Sequence, residues 1–165
     1  MKELALVVAA LTFPWCTGAI AGEWTQGSVS STTNATVGTL AKVSGLIDDL
    51  HGARAAELVV TCAENRTSIF ISADNLVFGG DVARVQYTID NGPIQHAYWK
   101  VCAGDLCAGL WNGAGIPFIR SFLDAAVLQM TLTRTFGRPI HATFPVEGAR
   151  EALKDVRSQC GWSAP

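Results

Sequence analysis

The chain has 165 residues, a formal net charge of −2, 49% hydrophobic residues and 16% charged residues. Lysine and arginine total 12 against 14 acids and form no basic stripe, which excludes the electrostatic footprint of a nucleic-acid binder. The length suits one domain with its own core, and beyond residue 22 no apolar run is long enough to span a bilayer as a helix.

The chain opens Met1-Lys2-Glu3, runs through apolar residues from Leu4 to Phe13, and reaches Ala19-Ile20-Ala21 before Gly22. A charged start, a short apolar stretch and a small-x-small site predict a secretory signal peptide over residues 1–21. The exported domain then spans residues 22–165. Cys16 would leave with the signal peptide, and Phe13-Pro14-Trp15 ahead of it do not fit a lipidation site. Cys62, Cys102, Cys107 and Cys160 remain, and an even set in a small exported domain predicts two disulfides in an oxidising compartment.

In chain order, Glu23 to Ser30 reads as a first strand and Asn34 to Val43 as a second. Ser44 to Glu57, with Asp48, Asp49, His51, Gly52 and Arg54, reads mostly as loop. Leu58 to Cys62 and Thr67 to Ala73 form a hairpin around Glu64-Asn65-Arg66. Val85, Tyr87 and Ile89 alternate with Arg84, Gln86 and Thr88, the pattern of a half-buried strand. Asp90-Asn91-Gly92-Pro93 is a turn, and Gln95 to Val101 returns with Ala97, Trp99 and Val101 on one face and His96, Tyr98 and Lys100 on the other. A short strand follows at Ala108 to Trp111, then a short helix at residues 117–123 opened by Pro117. Leu128, Met130 and Leu132 alternate along one further strand, and Ile140, Ala142 and Phe144 along another. Gly148 to Cys160 closes as a helix with Ala149, Ala152, Leu153, Val156 and Cys160 on one face and Gly161 as its stop. The expected class is mainly β with α (α+β), an antiparallel sheet or sandwich with the C-terminal helix packed on it.

Of the three possible cysteine pairings, spacing favours one. Cys102 and Cys107 flank Ala103-Gly104-Asp105-Leu106 in a tight reversal, which leaves Cys62 with Cys160 to close a loop of roughly 100 residues. A four-cysteine zinc site is the rival, but Cys62 and Cys160 form no second close pair.

The residues that could carry chemistry form no known constellation. His51, His96 and His141 lack the close spacing of zinc ligands, so no metal or cofactor is expected. No G-x-S-x-G elbow supports a serine hydrolase. Asp48 and Asp49, with Asp90, are the acids that could cleave a glycan, their ordinary reading being loop and turn residues. Gly79-Gly80 and the Gly113/Gly115 pair lack a phosphate-binding context and read as turns. Among the aromatics, Trp24, Tyr98, Trp99 and Trp111 could form a binding face, the alternative being that they fill the core.

From Leu58 onward the chain resembles the VasI (TagO-like) family of type VI secretion-associated envelope proteins. The resemblance lies in Leu58-Val59-Val60-Thr61-Cys62 with Asn65-Arg66-Thr67, in Val85 to Pro93, in Trp99, and in Ile116-Pro117-Phe118-Ile119-Arg120 with Leu123. Ala149 to Cys160-Gly161-Trp162 completes it. The family's outer cysteines match Cys62 and Cys160, whereas Cys102 and Cys107 are a local addition and Asn91 stands where the family usually has aspartate. The resemblance implies a periplasmic, non-enzymatic accessory protein whose partner is an envelope or secretion-apparatus protein, and it transfers no catalytic residue. The alternative is a hydrolase acting on cell-wall glycans, or an inhibitor of one, built on Asp48, Asp49 and exposed aromatic rings.

Overall fold

A computed structural model describes residues 23–30, 37–49, 52–74, 76–135 and 138–164. The expected signal peptide and His51 lie outside the described residues. Within them the chain runs β1 (Trp24–Ser30), β2 (Val37–Asp49), β3 (Gly52–Ala63), β4 (Arg66–Ser72), β5 (Val82–Ile89), β6 (Gln95–Val101) and β7 (Cys107–Leu110). Helix α1 (Ile116–Ser121), β8 (Val127–Thr133), β9 (Ile140–Pro145), α2 (Ala149–Ala152) and α3 (Lys154–Gln159) complete it.

The strands pair antiparallel in the order β1-β2-β3-β4-β7-β6-β5-β8-β9, and β9 pairs back onto β2. Leu46, Ile47 and Asp48 stand opposite Thr143, Ala142 and His141 in that ladder. Strands β2 to β9 therefore form a closed eight-stranded barrel, which corrects the expectation of a sandwich. The closure needs β2 to be long. Its first half, from Val37 to Val43, pairs with β1, and its second half takes β9. The seam also needs Gly45: a Cβ there would lie 2.4 Å from both Phe144 Cδ1 and the Thr143 carbonyl oxygen.

Within the segment expected to be loop, residues 44–49 and 52–57 are instead the paired ends of β2 and β3, in register from Ser44↔Glu57 to Asp49↔Gly52. Two of its charges meet each other within the hairpin, where Arg54 Nη2 donates to Asp49 Oδ2 at 2.7 Å. The β3–β4 hairpin turns through Glu64 (φ 50°) and Asn65 (φ 57°) between the paired Ala63 and Arg66, the backbone of a tight two-residue turn matched to strand twist.

Alternation along each strand sends one set of side chains into the barrel. Ala41, Val43, Ile47, Leu58, Val60, Ile69, Ile71, Val85, Leu128, Leu132, Ile140 and Phe144 are all fully buried. Helix α1 packs against this interior with a run of edge-to-face rings. The Phe118 ring centroid lies 4.8 Å from Tyr87, 5.4 Å from Trp99 and 5.5 Å from Phe122. Each such pair contributes roughly 0.5–1.5 kcal/mol beyond its burial.

The C-terminal helix expected over Gly148 to Cys160 is broken. α2 and α3 meet at Leu153, whose backbone (φ −90°, ψ 7°) departs from the helix while its side chain is fully buried. Ala149 and Val156 are buried beside it, as the periodicity predicts. The stop at Gly161 is a Schellman cap: Gly161 N–H donates to Ser158 O, Trp162 N–H to Arg157 O, and Gly161 has φ 65°.

Candidate interaction surface

The segments that carry the family resemblance converge in space. Cys62 at the end of β3 pairs with Cys160 after α3, their Cα atoms 5.8 Å apart, and Cys102 pairs with Cys107. Two residues after Cys160, Trp162 is buried, and its indole N–H donates to Thr67 Oγ1 on β4 at 2.9 Å. Arg120 of α1 lies over the Trp162 ring at 5.8 Å and donates through Nε to Ser163 O at 3.1 Å. These residues form one clamp that fastens the C-terminus to β3, β4 and α1. Their chemistry is covalent, hydrogen-bonding and cation–π, and it is used up inside the molecule.

The four aromatic residues expected to form a binding face are not brought together. Trp99 is fully buried in the barrel, so it presents nothing to a partner. Which face of β6 turns inward is set by α1, whose Phe118 meets Trp99. Trp24 is half-buried and its indole donates to Glu147 O at 3.1 Å. Trp111 is half-buried and stacks on Phe70 with centroids 5.4 Å apart and planes 26° apart. Only Tyr98 of the four is open, at 65% exposure. Phe70, alternating in the Ser68-Ile69-Phe70-Ile71-Ser72 run, is the ring partner that sequence reasoning did not single out for Trp111.

The acids separate in the same way. Consecutive residues of a strand face opposite sides of the sheet, so Asp48 and Asp49 cannot converge on one bond. Asp49 is engaged by Arg54 with its side chain 2% exposed, and Asp48 is exposed on the outer surface. Asp90 accepts hydrogen bonds from the backbone N–H groups of Ala126 (2.9 Å) and Val127 (2.8 Å), tying the β5 turn to the start of β8.

Two features remain on the outer wall. Gln86, Thr88, Gln129, Thr131, His141 and Thr143 of β5, β8 and β9 line a shallow hollow of about 300 Å³ beside the exposed Ile94. Its His141 Nδ1 lies 3.1 Å from Thr131 Oγ1, and Asp48 is the neighbour of His141 across the seam. His96 lies opposite Gln86 at the far end of the same row. Such a row offers amide, hydroxyl and imidazole groups for hydrogen bonding. The hollow's inward neighbour Tyr87 donates to Gln95 Oε1 at 2.8 Å, and burial raises its hydroxyl pKa. Along the seam itself, Ser44, Gly45, Leu46, Ala55, Val127, Thr143 and Pro145 line an apolar groove of about 570 Å³. Leu46 is 61% exposed there, and it went unnoticed because its segment read as loop. Elsewhere, Arg150 makes a two-pronged contact with Asp124 that lowers the aspartate pKa, chiefly through the hydrogen bond, and raises that of the arginine. Among the described residues, no group of three His, Cys, Asp or Glu side chains could hold a metal ion, and no helix is long and apolar enough to cross a membrane.

Comparison with known families finds a match to Type VI secretion system VasI, EvfG, over residues 26–162. The chain belongs to the VasI family. That span takes in every strand of the closed barrel, both cysteine pairs and the Trp162 clamp. The VasI assignment thus covers the architecture as a whole rather than one motif. No curated protein matches the chain, and no solved structure does.

Proposed function

We propose that this VasI-family chain is a non-enzymatic accessory protein of type VI secretion that works in the periplasm by binding an envelope or secretion-apparatus protein. The family match across residues 26–162 carries the reading. Two disulfides fit an oxidising compartment. The binding role draws support from how the acids are used: Asp49 and Asp90 are committed to structural contacts, and Asp48 faces away from Asp49. Glycan cleavage needs two carboxyl groups flanking one bond, so this arrangement favours contact over hydrolysis.

The test is crosslinking in living cells with the protein tagged at Pro165, after fractionation of periplasm and membranes. Capture of secretion-apparatus components from the periplasmic side is the expected result. Turnover of a peptidoglycan, ester or phosphate substrate by the purified protein, abolished by one side-chain change, would overturn the non-enzymatic part.

A further inference from the structure

A closed barrel has no sheet edges, because every strand has two neighbours. Here each of β2 to β9 meets that condition, yet β1 restores an edge. It occupies the half of β2 that β9 leaves free, from Trp24↔Val43 to Ser30↔Val37. Among the described residues, its second edge has no backbone partner.

Natural edge strands are protected by lysine, proline, bulges or brevity. This one has none of those devices. Its seven residues, Trp-Thr-Gln-Gly-Ser-Val-Ser, include no charge and no proline, and they pair with β2 without a bulge. Thr25, Gln26, Gly27 and Ser28 are all exposed. The strand is nevertheless held firmly in place. Trp24 donates to Glu147 O at 3.1 Å and Gln26 Nε2 to Ala152 O at 2.8 Å, so α2 and the turn before it pin one face. The other face carries a notch at Gly27, where the atoms nearest an added Cβ are those of the Leu40 side chain, at an ordinary contact distance of 3.6 Å.

We propose that β1 is a docking edge that takes an extended, uncharged segment of a partner protein as an added antiparallel strand. The occupant follows from the chemistry: a row of open N–H and C=O groups is satisfied along its length by another extended backbone, and alternate side chains then give specificity. A small apolar side chain laid across Gly27 would rest on Leu40. A second copy of the chain is the weaker occupant, since a seven-residue edge is far short of the roughly 20–30 residues per side that a stable rigid interface uses. This edge would be the contact surface of the function proposed above, and it rests on that reading.

The probe is a displayed library of random linear peptides, selected on the purified disulfide-bonded protein and followed by hydrogen exchange of the β1 amides. Enriched peptides should protect alternate β1 amides. Of the adjacent variants Gly27→Pro and Ser28→Pro, one removes an N–H of the β1–β2 ladder and the other only an N–H of the open edge. The second, recognised by its unchanged Tm, should weaken peptide binding roughly tenfold or more, about what one or two backbone hydrogen bonds supply. Failure to enrich any peptide, or peptides that bind this variant equally and protect no β1 amide, overturns the proposal. So does concentration-dependent dimerisation that protects β1, which would give the edge to a second copy. Peptide docking at β1 without capture of secretion components in cells would keep the edge and retire the secretion role. Capture unaffected by the edge variant would do the reverse.

Discussion

The two disulfides close loops of very different length, and their removal separates covalent topology from local packing. Cys62 and Cys160 are 98 residues apart in sequence, Cys102 and Cys107 five. In the chain-entropy treatment, the long closure withholds about 4.7 kcal/mol from the unfolded chain and the short one about 2 kcal/mol. Cys62→Ala/Cys160→Ala should therefore lose about 2.5 kcal/mol more than Cys102→Ala/Cys107→Ala. At about 3 °C per kcal/mol for a domain of this size, the Tm falls by about 14 °C in the first variant and about 6 °C in the second. Urea unfolding of both variants measures the difference directly. The slope m should rise most in the first, whose unfolded chain expands most when freed. Equal losses, or a larger loss from the short loop, would refute the reasoning. The bond would then act through local packing around the fully buried Cys62 rather than by constraining the open chain.

Other outcomes follow from the same contacts. Trp162→Phe leaves the Thr67 hydroxyl, 1% exposed, without its donor; the urea midpoint should report a loss of about 1–3 kcal/mol, and adding Thr67→Val should recover much of it. Gly45→Ala forces a methyl group against Phe144 at the seam and should cost about 1–3 kcal/mol by overpacking, seen as a lower Tm and weakened near-ultraviolet circular dichroism; an unchanged Tm would mean the seam has slack. Because Arg150 depresses the Asp124 pKa on folding, their interaction stabilises the fold above the ordinary carboxylate pKa of about 3.9 and is lost as pH falls through the lower folded value. The Tm gap between the wild type and Arg150→Gln should accordingly be present at pH 7 and close in strong acid, and a gap that persists there would contradict the assignment.

Much of the barrel was legible because half-buried strands alternate. Val85, Tyr87 and Ile89, or Leu128, Met130 and Leu132, declare their period within a few residues, and the β6 boundaries read from sequence are those observed. The Ser44–Glu57 misreading has a specific cause. Asp48, Asp49, Gly52 and Arg54 are turn formers or charged, and only the ladder shows Asp49 answered by Arg54 across the hairpin. The C-terminal face was visible as a helical period, but its break at Leu153 was not, since no Pro or Gly marks that position. The aromatic residues were the least legible. Alternation put Trp99 and Tyr98 on opposite faces of one strand, but nothing local says which face meets α1.

Local chemistry therefore determined what depends on neighbours in sequence: the strand periods, the turns at Glu64-Asn65 and Asp90-Asn91, the glycine that ends α3, and, through spacing, the cysteine pairs. Tertiary structure alone decided what depends on meetings between distant segments. The β2–β9 seam joins residues nearly a hundred positions apart, the Trp162 clamp draws on β4 and α1, and β1 finds room on β2 because β9 takes only half of that strand. A strand's hydrogen-bonding edges are alike whatever its sequence. Which strand fills each is a property of the closed sheet, settled by length, by the glycine that lets Phe144 approach, and by where the helices press.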